Sequence, residues 1–159
     1  MVYSAVYNSP VGALWLTSDG NSLTGLWMWE IENTQQNETL PVFQDTFRWL
    51  DTYFQSKNPS VDTLPLSPAG TEFQRLVWEI LLKIPFGQTR SYGDIAEEIA
   101  GRMGKEKMSA QAVGGAVGRN PISIIIPCHR VIGASGTLTG YAGGLDKKEW
   151  LLRHEGVIQ

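Results

Sequence analysis

Cysteine and histidine are nearly absent from these 159 residues: the chain has one cysteine, Cys128, and two histidines, His129 and His154. A single cysteine cannot close an internal disulfide, which excludes a disulfide-stapled scaffold and leads us to expect a reducing, cytoplasmic setting. Residues 1–70 hold neither residue type, so they lack the Cys/His sets that structural zinc sites need, and no metal or other cofactor is expected. No apolar run approaches the ~20 residues that a membrane span requires. Met1-Val2-Tyr3-Ser4 does not begin a basic segment followed by an apolar one, so no secretory leader is expected. Low-complexity tracts and repeats are missing as well, which places the chain among globular proteins with enough length for one domain, or one with an appendage.

Charge is modest but unevenly placed. The total is −3, yet residues 1–70 carry −5 and residues 101–130 carry +4, from Arg102, Lys105, Lys107, Arg119 and Arg130 against Glu106 alone. A solvated face and a phosphate-binding face are equally compatible with that basic stretch, because a polyanion responds to the local field rather than to the total.

Residues 2–29 alternate in strand fashion over Val2–Tyr7, Ala13–Thr17 and Leu23–Trp29, with Asn8-Ser9-Pro10 and Asp19-Gly20-Asn21 as turns, and this predicts an antiparallel sheet. Val42, Phe43, Phe47, Leu50 and Phe54 recur at helical spacing, so a helix over about 42–55 should lie on that sheet. The proline-bearing string 59–68 reads as a connector, which divides the chain into 1–68 and 69–159. The six tryptophans, at strand and helix spacings, read as core in preference to base-stacking platforms.

Beyond the connector, Thr71 caps a helix with a wide apolar face (Phe73, Leu76, Val77, Ile80, Leu81, Ile84) that ends at Pro85 and Gly87. Ser91 caps a second helix, which buries Ile95, Ala96, Ile99 and Ala100, and Ser109 caps a third with Val113, Ala116 and Val117 inward. Two short capped helices joined by a basic loop form a helix-turn-helix pattern. Gly114 and Gly115 in the third helix cost about 1 kcal/mol each relative to alanine. A close helix crossing accounts for them, and so does close approach by a backbone or a base.

Asn120-Pro121 makes a turn, and Ile122–Ile126 reads as a buried strand that delivers Cys128 behind Pro127. A lone buried cysteine is ordinarily a small hydrophobe. Here, however, His129 follows it, Arg119 and Arg130 lie near in sequence, and Pro127 stiffens the approach, which together point to an activated nucleophile with a lowered pKa. Strand neighbours face opposite ways, so a Cys128–His129 pair requires a turn or helical start at this point. A final helix over about 146–155 packs Trp150, Leu151 and His154 inward and ends at Glu155, where the helix macrodipole disfavours an anion. Glu155 is the candidate to fix the tautomer of His129.

The string Pro127-Cys128-His129-Arg130-Val131-Ile132-Gly133 resembles the active-site signature of the methylated-DNA:protein-cysteine methyltransferases, the O6-alkylguanine-DNA alkyltransferase family. The likeness extends through Ser91-Tyr92, residues 112–116, Asn120-Pro121, residues 141–145 and residues 148–156. It implies an α+β chain: a small N-terminal antiparallel sheet with a helix, then a mainly helical domain with the helix-turn-helix and the reactive cysteine. The implied function is repair by direct reversal, with one irreversible alkyl transfer from O6 of guanine in double-stranded DNA to Cys128.

Carried over position by position, the resemblance makes His129 a base acting through a water and Glu155 its orienter. Asn120 braces the cysteine turn, and Tyr92 helps extrude the nucleotide and protonates the leaving base. Val131, Tyr141 and the backbone near Gly143 line the pocket. DNA contacts fall on Ser91, Ser109, Gln111, Ala112, Gly114, Gly115 and Arg119, with the third helix in the minor groove of a duplex bound by a monomer. Gln111 departs from the pattern, since family members commonly carry arginine there, and a neutral side chain implies weaker, less salt-dependent DNA binding. Cys128 itself argues against the cysteine-free alkyltransferase-like proteins. A thioester-forming cysteine hydrolase would turn over, and a helix-turn-helix regulator would bind DNA without changing mass; both predict outcomes different from single transfer.

Overall fold

The computed structural model describes residues 1–159. Its residues group into two compact units, 1–69 with 121–123, and 70–120 with 124–159.

In the first unit, β1 (Tyr3–Ser9), β2 (Gly12–Ser18) and β3 (Leu23–Trp27) form an antiparallel meander. Alternation along β1 and β2 sends Ala5, Leu14 and Leu16 to one face, where they are buried. Helix α1 (Pro41–Phe54) starts on a proline, whose missing N–H costs nothing at that position. It buries Val42, Phe43, Thr46, Trp49, Leu50 and Tyr53, and the rings of Phe47 and Phe54 stack beside Tyr7 of β1 at 6.0 and 6.2 Å.

Two details depart from the sequence expectation. The polar stretch after β3 supplies β4 (Gln35–Gln36), which pairs parallel to β1 at the sheet edge, so the sheet is not wholly antiparallel. The tryptophans are also less uniformly interior than their spacing implies. Trp49 and Trp78 are buried, Trp15, Trp27 and Trp150 are half-buried, and Trp29 is 44% exposed.

The second unit begins with α2 (Glu72–Leu82), where Thr71 and Gln74 close a reciprocal capping box that satisfies two otherwise orphan N–H groups. Trp78 of α2 is buried and donates its indole N–H to Ala116 O at 2.9 Å, which ties α2 to α4 (Ala110–Gly118). Between them runs α3 (Tyr92–Arg102), capped by Ser91 in a second box with Asp94. Ser109 caps α4 through the N–H groups of Gln111 and Ala112. Each of the three expected caps is therefore made, and α3 and α4 are the expected short helix pair.

Residues 122–126 are buried but do not form a strand. Ile122 makes one isolated bridge to Leu26, and Ile124 takes a left-handed φ of +70° that a β-branched residue rarely adopts. Turns replace the extended run because the segment must deliver Pro127 into a 3₁₀ turn at Cys128–Arg130. That turn leads into β6 (Val131–Ile132), which pairs parallel to β5 (Arg90–Ser91). Helix α5 (Leu145–His154) closes the chain, burying Lys148, Leu151 and Leu152, while Trp150 and His154 are half-buried and stack on each other at 5.0 Å.

Candidate active site

The cysteine sits at the head of a turn. The N–H of Cys128 donates to Ile126 O at 2.8 Å, and that of Arg130 donates to Pro127 O at 3.0 Å. Asn120 adds a second bond to the same Ile126 carbonyl, Nδ2 to O at 2.8 Å. The carbonyl before Pro127 is thus held from both sides, by the Cys128 N–H and by the Asn120 side chain. The 3₁₀ turn also removes the strand geometry that would have sent Cys128 and His129 to opposite faces. Both are interior, with Cys128 6% exposed and His129 0%.

The turn brings His129 to the end of α5. Its Nε2 lies 2.5 Å from Glu155 Oε2, and Glu155 is the residue that closes the helix. The same carboxylate accepts from Arg130 Nε at 2.7 Å, from Arg130 Nη2 at 3.2 Å and from the N–H of Gly87 at 3.3 Å. An anion that the helix dipole disfavours is held there by a guanidinium, an imidazole and a backbone donor. With Nε2–H directed at Glu155, the neutral imidazole has its lone pair on Nδ1, a buried atom with no protein partner.

Burial dominates the electrostatics. It pushes the Cys128 thiol above its ordinary value, against the lowering effects of Asn120, the Lys148 charge and the backbone N–H groups of Cys128 and His129. This corrects the expectation of a lowered cysteine pKa from Arg119 and Arg130. Arg119 is exposed at the end of α4, Arg130 is committed to Glu155, and the cation acting on Cys128 is Lys148. Burial also holds His129 below the usual imidazole value, overriding Glu155, so the ring is neutral at pH 7. Glu155 resists the upward pull of burial because His129 and Arg130 hold it down to about 2. The arrangement is therefore a protonated thiol beside a neutral histidine backed by an ionised carboxylate, and the thiolate must be made by proton transfer.

Lys148 joins the site without a role assigned to it from the sequence. It is 0% exposed, and its Nζ donates to Val131 O at 2.6 Å, Thr139 O at 2.8 Å and Gly140 O at 3.3 Å. Burial pushes it down to about 8. The signal in the sequence is its register: Lys148 stands three positions before Leu151 and four before Leu152, on the buried stripe of α5.

Tyr92 follows directly on β5 as the first residue of α3, and it lies near enough to Cys128 for the sulfur to act on its hydroxyl electrostatically. Its hydroxyl donates to Thr139 O at 3.2 Å, its ring lies 5.9 Å from Lys148 Nζ, and burial raises its pKa. Thr139 O thus accepts from both Tyr92 and Lys148. Of the expected pocket residues, Val131 is buried, and Tyr141 and Gly143 are half-buried in the same loop region.

The residues expected to meet DNA lie on α4 and at the start of α3. Ser109, Gln111, Ala112, Gly115 and Arg119 are exposed along α4, while Gly114 and the cap Ser91 are half-buried. A Cβ on Gly115 would meet nothing within 4 Å, and one on Gly114 would make only ordinary contact with Tyr92 at 3.8 Å. A tight helix crossing, which accounts for such glycines in many proteins, is therefore not their explanation here. They leave an outward, side-chain-poor strip. No group of histidine, cysteine and carboxylate residues is placed to hold a metal ion, and no helix is long and apolar enough to cross a membrane.

Comparison with known proteins agrees with this geometry over both units. The family model described as 6-O-methylguanine DNA methyltransferase, DNA binding domain, matches residues 72–157, and its ribonuclease-like domain matches residues 2–68. A methylated-DNA–protein-cysteine methyltransferase of Methanosarcina acetivorans is 46% identical, covering 98% of this chain and 99% of that protein. One from Mycobacterium bovis is 45% identical over 98% and 93%. The crystal structure of Mycobacterium tuberculosis OGT in complex with DNA superposes with a TM-score of 0.84 at 43% identity, covering 96% of this chain and 92% of that one. With both family models matched along almost its whole length and a reactive-cysteine turn buttressed by histidine and glutamate, the chain belongs to the methylated-DNA–protein-cysteine methyltransferase family.

Proposed function

We propose that Cys128 is the acceptor through which this methyltransferase repairs DNA, taking the alkyl group from O6 of a guanine flipped out of the duplex. The observation that carries this is the buried pair His129 Nε2–Glu155 Oε2 at 2.5 Å, one residue from the only thiol of the chain. Glu155 fixes the tautomer, and His129 Nδ1, through a bridging water, takes the proton from Sγ. The thiolate attacks the alkyl carbon in line. The S–C bond forms as the C–O6 bond breaks, the electron pair returns to the purine, and Tyr92 supplies the proton that leaves neutral guanine. The product is S-alkylcysteine, for which nothing in the site provides a hydrolytic route.

Flipping is required because the reacting carbon is stacked inside a duplex. The outward strip of α4 suits a minor groove, where Gly114 and Gly115 allow close approach and Gln111 can occupy the gap left by the base. The basic residues 101–119 beside that strip supply the phosphate contacts of a monomer bound to double-stranded DNA.

Titration of a fixed amount of protein with duplex carrying O6-methylguanine tests this reading. Lesion loss should plateau at one per protein molecule. Continued loss beyond one equivalent would mean turnover and a hydrolase, whereas binding with no loss would mean a DNA-binding regulator.

A further inference from the structure

Arg130 has no part in the alkyl transfer as just described, yet it is the most heavily committed side chain around Glu155. Its Nε and Nη2 reach Oε1 and Oε2 of Glu155 at 2.7 and 3.2 Å, and its Nη1 donates to Ile84 O at 2.7 Å. The guanidinium carbon lies 5.8 Å from the Phe86 ring centroid. Three groups therefore fix the plane of this guanidinium: Glu155 at the end of α5, and the Ile84 carbonyl and the Phe86 ring in the loop after α2. The N–H of Gly87 donates to Oε1 as well, at 3.3 Å, so Oε1 is taken up on the side away from the histidine. What remains for His129 is Oε2, at 2.5 Å.

We infer that Arg130 is a positioning residue for proton removal from Cys128: by gripping Glu155 and sharing its charge, it keeps His129 a neutral Nε2–H imidazole whose Nδ1 can accept the thiol proton. The inference rests on the reading above, in which Cys128 is the acceptor and His129 its base. A buried carboxylate with no cation beside it would direct its whole charge at the imidazole 2.5 Å away and favour imidazolium, which has no lone pair to offer. A carboxylate neutralised by a permanent cation orients the ring without holding it protonated. The charged groups that face His129 are Glu155 and Lys148 from α5 and Arg130 from its own turn; the loop after α2 contributes only the Gly87 N–H and the Ile84 carbonyl. Of the two cations, Lys148 is bonded to the carbonyls of residues 131, 139 and 140, so only Arg130 touches Glu155.

The test measures single-turnover methyl transfer to Cys128 by intact mass between pH 5.5 and 9 for wild type, Arg130→Gln and Arg130→Lys. In Arg130→Gln, the acid limb should move up by about one pH unit, so that transfer falls by up to about tenfold at the acid end of the range while transfer at pH 8.5 stays within about threefold of wild type. Arg130→Lys keeps the cation and should hold the limb near its wild-type position. An equal slowing of Arg130→Gln at every pH, or an unmoved limb, would overturn the inference and leave Arg130 a merely structural brace. ¹⁵N NMR of the wild-type imidazoles at pH 7 serves if Arg130→Gln does not fold, with His154 as the internal reference. A neutral Nε2–H His129 is expected, and an imidazolium or an Nδ1–H tautomer would overturn the inference. Absence of methyl on wild-type Cys128 would remove the underlying reading too, and the wild-type mass alone distinguishes that failure from the others.

Discussion

His129 and Glu155 meet at 2.5 Å across 26 positions of sequence, one from the turn that carries the cysteine and the other from the cap that follows the terminal helix. Local turns orient each, but only the fold brings them together. The contact exists because β6 and α5 return the chain over the turn, and because the guanidinium of Arg130 makes an anion tolerable at a helix C-terminus.

Replacing Glu155 by glutamine should destabilise the protein by about 3–5 kcal/mol, because Arg130 would be left buried without its counter-charge. Chemical denaturation at pH 7 measures this. The sign follows from the depressed carboxyl. With a folded pKa of about 2 against an ordinary value near 4.5, the stabilisation is fully present above the ordinary value and disappears as pH falls through about 2. Wild type should therefore lose more stability than Glu155→Gln between pH 5 and pH 2, and parallel pH profiles would count against the ion pair.

Asn120→Ala removes the 2.8 Å bond to Ile126 O and leaves that buried carbonyl with only the Cys128 N–H. A loss of about 1–3 kcal/mol is expected. Methyl transfer should slow by more than the stability change explains, because the turn that aims Cys128 loses its brace. A stopped-flow or quench time course at a temperature where both proteins are folded decides this, and an unchanged rate would show that the turn holds itself.

Lys148→Met keeps the length of the stem but strips the donor from Val131 O, Thr139 O and Gly140 O. Residues 133–144 should lose hydrogen-exchange protection relative to α2, and transfer should slow, since Tyr92 shares Thr139 O with the lysine. Unchanged exchange in that segment would mean that the loop is held by other contacts.

Gln111→Arg places a cation on the exposed first turn of α4. Affinity for duplex DNA should rise at low salt, with the slope of log affinity against log salt steepening by about 1. Fluorescence anisotropy over a salt series reads both. No change in either would place residue 111 away from the phosphates.

Much of this architecture was legible locally. Thr71, Ser91 and Ser109 each stand one residue before an apolar periodicity of 3.6, and each caps the helix it announces. What was not legible depends on long-range pairing. The run 122–126 has the composition of a buried strand and is buried, but no ladder partner exists beyond Leu26, and Ile124 turns left-handed instead. Two glutamines in a polar stretch carry no strand signal, and β4 forms only because β1 offers its edge.

The candidate site divides the same way. Cys128, His129, Asn120 and Glu155 were identifiable as residue types fit for one chemistry, the last two only through the family resemblance or the oddity of an acid at a helix end. Arg130 read as one charge of a basic stretch near the cysteine, and Lys148 had no role of its own. Both are interior, because each finds buried oxygens for its donors, and that is a property of the folded chain alone.

The most direct test of the account is the intact mass of the protein after incubation with duplex DNA containing O6-methylguanine, followed by peptide mapping. The expected result is one added methyl, carried by Cys128 and absent from Cys128→Ser. An unmodified chain after the lesion has disappeared, or a methyl on any other residue, would contradict it.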